Sequence, residues 1–358
     1  MRVLIAPDSF GDTLTAMAAA ASMAAGWSAG RPGDELTLAP QSDGGPGFVD
    51  VLAARFGEPI AATVDGPLGA PVRARWLAAG DIAYVESAQA CGLALLGGPP
   101  NPRTAVAAHS RGVGQLIAAA VDAGATTVVI GLGGSGCTDG GRGLVEVLGG
   151  GADGAAVVAA RERLAGVRLI AATDVRNPLL GEHGAASVFG PQKGADRATV
   201  ELLERRNAEW SLVLESAVGR RVADDEGAGA AGGIGAALLA LGATRESGAA
   251  VVGAHTGQRA LLASADLVIT GEGRFDHQSL HGKVVIALAE AAARQGVPTI
   301  VIAGQVQLDE GAALGAGLLA AYSVTEHAGS VDLAMSDAAG QLRALTETVA
   351  RRWPPAAR

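Results

Sequence analysis

The sequence predicts an α/β protein of two domains, in which a second, mixed α/β domain is inserted into a parallel five-stranded sheet. The chain has 358 residues, and a domain commonly holds roughly 100–200 residues. Apolar residues make up 49% and charged residues 18%, so a large core can be buried and global disorder is excluded. Strand-like and helix-like segments alternate at both ends of the chain, whereas its middle carries hairpin signals.

The opening segment has the βαβα order that is typical of a parallel sheet. Residues 2–6 form a short apolar run that stops at Pro7, which predicts a buried strand. Residues 13–29 are rich in Ala and Met and therefore predict a helix. A second strand is expected at 35–39 and a second helix at 46–56.

The middle of the chain predicts a different domain. Residues 60–96 alternate more, carry a Gly-Pro turn signal, and predict short strands joined by hairpins. The segment 149–166 is dominated by Gly, Ala and charged residues and predicts a surface loop or a short irregular helix. The remaining elements expected here are a helix at 111–123, strands at 126–131, 167–172 and 185–189, and a charged helix at 195–218.

The final segment returns to the opening pattern. It predicts strands at 265–270, 297–303 and 317–323 and helices at 283–295 and 331–352. These strands and the two opening strands can form one five-stranded parallel sheet. The predicted domains are residues 1–61 plus 263–358, and the insertion 62–262.

Composition excludes several classes of protein. The net charge of −9 argues against a nucleic-acid-binding protein, which usually shows a basic face, but it permits a phosphorylated small molecule. No apolar run approaches the roughly 18 residues of a membrane helix, and the opening residues lack the pattern of a signal peptide. The two cysteines, Cys91 and Cys137, are too few for a disulfide framework. We therefore expect a reduced, cytoplasmic protein with no membrane partner.

Two lysines stand out in a chain that otherwise uses arginine. Of 27 basic residues, only Lys193 and Lys283 are lysine, and both adjoin a glycine. A lysine binds phosphate as a compact point charge, and arginine is a poor substitute in a tight site. Chance survival is the alternative, but the pattern favours a phosphate or substrate role for at least one of them.

Acidic residues beside glycines follow three of the strands in the predicted first domain. In an open parallel sheet, ligands bind beyond the carboxyl ends of the strands. One such loop alone is an ordinary turn, but three at one edge could hold Mg²⁺ or accept a proton from a hydroxyl group. The loops are Asp8–Gly11, Ser42–Gly47 and Gly271–Asp276.

The predicted inserted domain carries a glycine-rich loop, residues 131–141, between a strand and a helix-like stretch. Backbone N–H groups in such a loop can cradle a phosphate. The loop also matches G-x-G-x-x-G, but a dinucleotide site needs an acid at the end of a second strand about 20 residues on. That region is rich in Gly and Ala, so a nicotinamide enzyme is the weaker interpretation. A second polar loop, at Asp174–Leu179, is either a turn or part of a site.

Taken in order, these motifs resemble those of the bacterial glycerate kinase family over nearly the whole chain. The resemblance implies a flavodoxin-like domain with an inserted α/β domain. It also implies a phosphotransferase that uses ATP and Mg²⁺ to phosphorylate an alcohol group of D-glycerate, giving 2-phosphoglycerate. The motifs are Ala6–Phe10, Asp43–Gly45, Gly66–Gly69, Gly133–Ser135, Asp139–Gly141, Asp174-Val175, Asn177–Leu179, Phe189–Gly194, Gly229–Gly233, Thr270–Arg274, Asp276, Gln278-Ser279 and Gly282-Lys283.

The chain departs from the family pattern at four positions. Gly11 stands where the family usually has Lys, Pro46 replaces Glu, Thr138 replaces Asn, and Val285 replaces Pro. Losing one charge-assisted contact costs about 1.5–3 kcal/mol, which Arg274 or Arg111 could offset. The alternatives are therefore a kinase of another small hydroxy acid and a non-catalytic relative that binds a hydroxy acid or nucleotide.

We predict that the reaction takes place in a cleft between the two domains and that its residues fall into three groups. The catalytic residues predicted are Asp8, Asp43 and Lys283. The substrate- and phosphate-binding residues predicted are Ser9, Gly44, Gly45, Gly133, Gly134, Ser135, Asn177, Lys193 and Arg274. The metal ligands predicted are Asp139, Asp174, Glu272 and Asp276.

Overall fold

The computed structural model describes residues 1–277, 279–280 and 284–354. By packing, the chain forms two compact units. Unit 1 comprises Met1–Asp43 with Ala249–Arg358, and unit 2 is Gly44–Gly248. The helix that follows Gly47 therefore packs with unit 2, although the sequence groups it with the first domain. The boundaries near 61 and 262 stay a prediction about independently folding domains.

The strands are numbered in chain order. They are β1 (Arg2–Ile5), β2 (Glu35–Leu38), β3 (Ile60–Asp65), β4 (Pro71–Ala79), β5 (Ile82–Glu86), β6 (Thr127–Gly131), β7 (Arg168–Ala172), β8 (Thr244–Glu246), β9 (Leu267–Thr270), β10 (Arg274–Phe275), β11 (Thr299–Ala303), β12 (Gln305–Val306) and β13 (Ala320–Ser323).

The helices are numbered in the same way. They are α1 (Ala16–Gly30), α2 (Phe48–Phe56), α3 (Ala88–Cys91), α4 (Pro102–Ala107), α5 (Arg111–Asp122), α6 (Arg142–Gly149), α7 (Gly154–Arg163), α8 (Ala185–Phe189), α9 (Arg197–Val218), α10 (Ile234–Ala240), α11 (Gly248–Thr256), α12 (Gln258–Ser264), α13 (Val284–Ala293), α14 (Glu310–Gly315), α15 (Val324–Ala328), α16 (Val331–Ser336) and α17 (Ala338–Arg352). Short 3₁₀ turns cover Leu93–Leu96, Pro191–Lys193 and Ala230–Gly233.

Unit 1 is built on a parallel sheet of five strands in the order β13-β11-β9-β1-β2. Every neighbouring pair in it is parallel. Numbered by their own sequence order, the five strands read 2-1-3-4-5 from one edge, which is the flavodoxin-like arrangement. The predicted α/β class and the five-stranded parallel sheet are confirmed.

Close packing of two helices closes one face of this sheet. The first helix, α1, buries Met23 and Trp27 against the last, α17. A Cβ at Gly26 would lie 2.2 Å from the carbonyl oxygen of Arg343, so only glycine permits this separation of the two helix backbones. The first and last helices therefore share one core.

Unit 2 contains a mixed six-stranded sheet in the order β3 to β8. The first three strands are antiparallel hairpin partners, as the turn signals predict, and β5 to β8 run parallel. A single large core cluster packs on this sheet and includes Trp76, Ile130 and Trp210. The mixed character of the inserted domain is therefore confirmed.

One strand prediction was wrong, because residues 185–189 form the helix α8. The segment 149–166, predicted as a surface loop or a short irregular helix, contains the ten-residue helix α7, which buries Val157 and Ala160. The predicted helix 331–352 is divided at Asp337 into α16 and α17. Short apolar runs do not distinguish helix from strand locally, which is the reason for the error at residues 185–189.

Within the part of the chain that the structure describes, no single helix is long and apolar enough to cross a membrane. The bent pair formed by α6 and α7 reaches the required length and composition only when the two are taken together.

Candidate active site

The parallel strands of unit 2 all end on one line. Glu86 at the end of β5 pairs with Gly131 of β6, Gly131 pairs with Ala172 of β7, and Ala172 pairs with Glu246 of β8. The segments that follow these residues therefore leave the sheet at the same edge, where parallel α/β sheets bind ligands. One of them is the glycine loop, residues 131–141.

A second glycine segment, the Gly44–Gly47 turn, packs directly onto the glycine loop. A Cβ at Gly44 would lie 2.5 Å from the carbonyl oxygen of Ala172, and one at Gly133 would lie 2.5 Å from the Cα atom of Gly45. A Cβ at Gly134 would lie 2.6 Å from the Cγ atom of the Pro46 ring. The two segments therefore pack so closely that Gly133 and Gly134 have no room for a side chain.

The ammonium group of Lys193 forms two hydrogen bonds with the glycine loop. It donates hydrogen bonds to the hydroxyl oxygen of Ser135, at 3.0 Å, and to the carbonyl oxygen of Cys137, at 2.6 Å. Lys193 is only 2% exposed, and burial lowers its pKa, while Cys137, Cys91 and Asp139 act in the opposite direction. The structure thus brings together Gly133, Ser135 and Lys193, all of which we predicted to bind substrate or phosphate.

The hydrogen bond from Lys193 orients the hydroxyl group of Ser135. An ammonium has no acceptor, so the Ser135 oxygen must accept this bond and its own proton must point elsewhere. Gly134, the preceding residue, is exposed and Gly133 is half-buried, whereas residues 135–138 are buried. The accessible backbone of the glycine loop is therefore the Gly133-Gly134 segment. The buried ammonium of Lys193 binds the next residue, Ser135.

The chain's two cysteines lie in the same region. Both Cys91 and Cys137 are free and buried, and the backbone N–H of Gly136 donates to the carbonyl oxygen of Cys91 at 2.6 Å. A hydrogen bond with Cys91, together with burial, raises the pKa of Cys137. A thiol of this kind is a poor nucleophile, so the two side chains serve as packing.

Asp139, a predicted metal ligand, holds the beginnings of two helices. Its Oδ2 accepts hydrogen bonds from the backbone N–H and the hydroxyl of Ser110, both at 2.8 Å, and from the N–H of Gly143 at 3.1 Å. Its Oδ1 accepts from the N–H of Gly141 at 3.1 Å. Because α5 begins at Arg111 and α6 at Arg142, this carboxylate satisfies donors at both helix starts.

The polar loop after β7, Asp174–Leu179, lies against a second glycine-rich motif, Gly229–Gly233. The backbone N–H of Gly229 donates to the carbonyl oxygen of Asn177 at 2.9 Å, and the Asn177 amide donates to the carbonyl oxygen of His183 at 2.8 Å. Asp174 and Asn177 are both half-buried. Further along that motif, a Cβ at Gly232 would lie 2.0 Å from the carbonyl oxygen of Cys137. The loop and the motif therefore both belong to the framework around the glycine loop.

In unit 1, the predicted loops also share the carboxyl edge of a sheet. The backbone N–H of Asp8 donates to the carbonyl oxygen of Gly271, and that of Gln41 donates to the carbonyl oxygen of Pro7, both at 2.8 Å. Ser9 donates its backbone N–H to the Asp8 carboxylate at 2.6 Å. Asp8 and Ser9 are half-buried, whereas Asp43 is exposed.

The third acidic loop of unit 1 begins at the end of β9. Arg274 lies in β10, is exposed, and pairs through its backbone with Gln305 of β12, while Glu272 and Asp276 are half-buried. Lys283, a predicted catalytic residue, lies outside the described residues.

Among the residues that the structure describes, no three His, Cys, Asp or Glu side chains converge as a metal-binding group. Magnesium at phosphoryl-transfer sites takes one or two carboxylates and completes its shell with water and phosphate oxygens. Glu272 and Asp276 of unit 1, and separately Asp174 of unit 2, are carboxylates of the type that such an ion takes, whereas Asp139 already uses both its oxygens as a helix cap.

Sequence reasoning missed one acid at this edge. Glu86 is buried at the end of β5, and burial raises its pKa to about 7. The sequence carries a signal for it, because an acid ends an apolar strand at that point. Arg111, considered as a substitute for the missing lysine, forms ion pairs with Asp65 at 3.1 Å and Glu146 at 2.9 Å.

Known proteins with similar sequences belong to the family whose motifs this chain resembles. The model of the glycerate kinase family matches residues 3–354. The glycerate kinase of Bacillus subtilis is 40% identical over 372 residues, covering 98% of this chain and 97% of that protein. The glycerate 2-kinase of Escherichia coli K12 is 39% identical, with 94% of each chain covered.

A solved structure agrees as well. The crystal structure of a Salmonella typhimurium LT2 protein, provisionally named glycerate kinase 2, is 34% identical and superimposes with a TM-score of 0.76 over 98% of this chain and 97% of that one. The match of fold, motif order and sequence extends over both units. The chain therefore belongs to the glycerate kinase family.

Proposed function

We propose that this enzyme transfers the γ-phosphoryl group of ATP, with Mg²⁺, to D-glycerate and forms 2-phosphoglycerate. Family membership supports glycerate as the acceptor. The observation that supports phosphate binding is the buried Lys193 ammonium, which donates a 3.0 Å hydrogen bond to the hydroxyl of Ser135, the residue that follows the half-buried Gly133 and the exposed Gly134.

A buried cation favours an anion nearby. The acceptors of Lys193 are the uncharged oxygens of Ser135 and Cys137, and an ammonium removed from water gains most from an opposite charge. A phosphate at Gly133-Gly134 would supply that charge and would accept hydrogen bonds from the Ser135 hydroxyl and from backbone N–H groups. Asn177 is assigned to the same phosphate-binding region.

The acceptor hydroxyl needs a group that binds it and takes its proton. Asp8 and Asp43 are assigned to these two tasks, because carboxylates are suitable general bases. Ser9, Arg274, Gly44 and Gly45 are assigned to substrate binding, and Lys283 to charge neutralisation. The location of the reaction between two domains stays a prediction.

Asp174, Glu272 and Asp276 are the residues assigned to Mg²⁺. When bound, the ion would neutralise charge on the phosphate oxygens. The protein's part is then to position the two substrates and to exclude water, since phosphoryl transfer depends on geometry and charge rather than on covalent chemistry.

The test is an assay of the purified protein with D-glycerate, ATP and Mg²⁺, in which ADP release is followed. Adding enolase alone distinguishes the products, because enolase dehydrates 2-phosphoglycerate and leaves 3-phosphoglycerate unchanged. We expect absorbance from phosphoenolpyruvate without added mutase. ADP release that requires a mutase for this absorbance would overturn the assignment of the product.

A non-catalytic binding role is motivated by two departures from the family pattern, Gly11 in place of a lysine and Pro46 in place of a glutamate. Stabilisation by glycerate or ATP without ADP release from any small hydroxy acid would support that role. Turnover with another hydroxy acid, but not with glycerate, would support a different kinase. The nicotinamide interpretation is weakened because α6 begins at Arg142, beyond the G-x-G-x-x-G segment.

A further inference from the structure

Glu86 is a buried acid beside the first residue of the glycine loop. It ends β5, pairs in the sheet with Gly131, and is 3% exposed. Carboxylates are seldom buried unless hydrogen bonds or charges hold them. The contacts of Glu86 therefore indicate what the carboxylate is for.

The carboxylate of Glu86 holds the start of α2. Its Oε2 accepts hydrogen bonds from the backbone N–H groups of Gly47, at 3.2 Å, and Val49, at 3.1 Å. Gly47 is the N-cap residue and forms no side-chain cap. Glu86 thus supplies, from a neighbouring strand, the acceptor that a helix N-terminus requires.

The same contact fixes the Gly44–Gly47 turn. This turn lies against Gly133 and Gly134, with Pro46 and Gly45 so close that a Cβ on either glycine of the loop would overlap them. A displacement of the turn would therefore displace the Gly133-Gly134 segment. Through these contacts Glu86 is linked to the backbone assigned to phosphate.

The charge of Glu86 changes near neutral pH. Burial raises its pKa to about 7, and the negative charge of Asp50 acts in the same direction, while the N–H groups of Val49 and Gly47 and the side chain of Gln89 oppose them. Asp50 is itself paired with Arg75 at 2.9 Å.

We propose that Glu86 is a positioning residue whose carboxylate holds the Gly44–Gly47 turn so that Gly133 and Gly134 keep a phosphate-binding conformation. This inference rests on the proposed kinase function. Glu86 does not touch the phosphate and acts through the backbone N–H groups that it binds. Ionised carboxylates accept stronger hydrogen bonds than neutral acids or amides.

The proposal predicts that one substitution at Glu86 lowers activity without lowering stability. Replacing Glu86 by Gln keeps an acceptor oxygen but removes the cost of ionising a buried acid. We expect Glu86→Gln to be at least as stable as the wild type at pH 8, yet about fivefold lower in kcat/KM because the hydrogen bonds are weaker. A residue needed only for folding would lose stability and activity together.

The first experiment does not depend on activity. The backbone amide chemical shifts of Gly47 and Val49 are followed by NMR from pH 5 to pH 9 in the wild-type protein. We expect both shifts to titrate together near pH 7, and to become flat in Glu86→Gln. Shifts that do not titrate in the wild type would overturn the proposal.

The second experiment measures kcat/KM for MgATP over the same pH range. The wild type should gain activity as pH rises through about 7, and Glu86→Gln should lack this step. Asp50→Asn, a control on the same helix, should keep the step but move it to lower pH, because the charge of Asp50 raises the pKa of Glu86. A step retained in Glu86→Gln would overturn the proposal. If the wild type forms no ADP, the proposed function fails, and the amide titration still decides whether Glu86 holds the turn.

Discussion

Two glycines with similar backbone conformations have different roles in the site. Gly44 has φ +95° and Gly47 has φ +92°, so both occupy a region that L-residues with a side chain rarely adopt. A Cβ at Gly44 would meet the Ala172 carbonyl oxygen at 2.5 Å, whereas one at Gly47 would have open space within 4 Å. The positive φ angle alone explains why position 47 is a glycine. At position 44 the close approach of the Ala172 backbone is a second reason.

We therefore expect Gly44→Ala to be more damaging than Gly47→Ala. Both variants carry about 1–2 kcal/mol of backbone strain, but only Gly44→Ala adds an overlap of about 1–3 kcal/mol. The free energies of unfolding in denaturant give the comparison. Equal losses of unfolding free energy in the two variants would contradict this expectation, because the overlap with Ala172 would then add nothing.

Lys193→Met tests the buried cation. Methionine keeps much of the length of the side chain but removes the charge, so the KM for MgATP should rise about ten- to hundredfold. The free energy of unfolding should change little, because burying the ammonium is itself costly. Ser135→Ala, the matched variant at the accepting hydroxyl, should raise KM less. An unchanged KM with reduced stability would leave Lys193 a structural role alone.

Gly11→Lys tests the departure from the family pattern. A Cβ at Gly11 would have nothing within 4 Å, but φ is +56°, so the added side chain should cost about 1 kcal/mol of stability. If this loop contacts an anion, the new charge should lower the KM for glycerate or MgATP up to about tenfold. Steady-state kinetics measures both constants, and Gly11→Ala controls for the strain. No difference in KM between the two variants would place this loop away from both anions.

At the level of elements, a single acid organises two helix starts in unit 2. Asp139 accepts hydrogen bonds at the beginnings of α5 and α6, and the hydroxyl of Ser110 also accepts from Leu144 at 3.0 Å. Asp139-Gly140-Gly141 was recognised from sequence as part of a motif, but its partner Ser110 lies 29 residues earlier. Only the folded chain reveals that the acid is a shared cap.

Removing this cap should cost more than removing an ordinary one. We expect Asp139→Ala to lower the free energy of unfolding by about 3 kcal/mol, since several buried N–H groups lose their acceptor. The matched variant, Asp153→Ala, removes the cap of α7, which accepts one hydrogen bond from Ala156, and should cost about 1 kcal/mol. Calorimetry without ligands measures both. A loss at Asp139 no larger than that at Asp153 would contradict the shared cap.

For the whole molecule, Glu86 makes stability depend on pH. Its pKa is about 7 in the folded chain against an ordinary 4.5, so the folded state binds the proton more tightly than the unfolded state. The contribution of this group is therefore fully present below pH 4.5 and is lost as pH rises through 7. The size of the loss is about 3 kcal/mol.

The difference in free energy of unfolding between the wild type and Glu86→Gln isolates this effect, because other groups titrate equally in both. The wild type should lose stability relative to the variant from pH 5 to pH 8. Denaturant unfolding at four or five pH values gives the curve. A difference that is constant with pH would mean that Glu86 is ionised throughout.

The sequence by itself determined the α/β class, the five strands of the unit 1 sheet, the hairpins of unit 2, and the family. Local apolar periodicity and turn residues carry that information, since they act over a few neighbouring positions. It also marked Gly44, Ser135 and Lys193 as candidate site residues, and this assignment stays a prediction. The short run 185–189 was predicted wrongly because its helix depends on burial rather than on local preference.

Only the tertiary structure decided which of these residues meet. The 3.0 Å contact of Lys193 with Ser135 joins positions 58 residues apart, and Glu86 binds amides 39 and 37 residues before it. No local pattern encodes such pairs, because they arise where parallel strands end together at one edge of a sheet. Burial there gives Glu86 its raised pKa and Lys193 its lowered one, properties that belong to the folded environment rather than to the residue types.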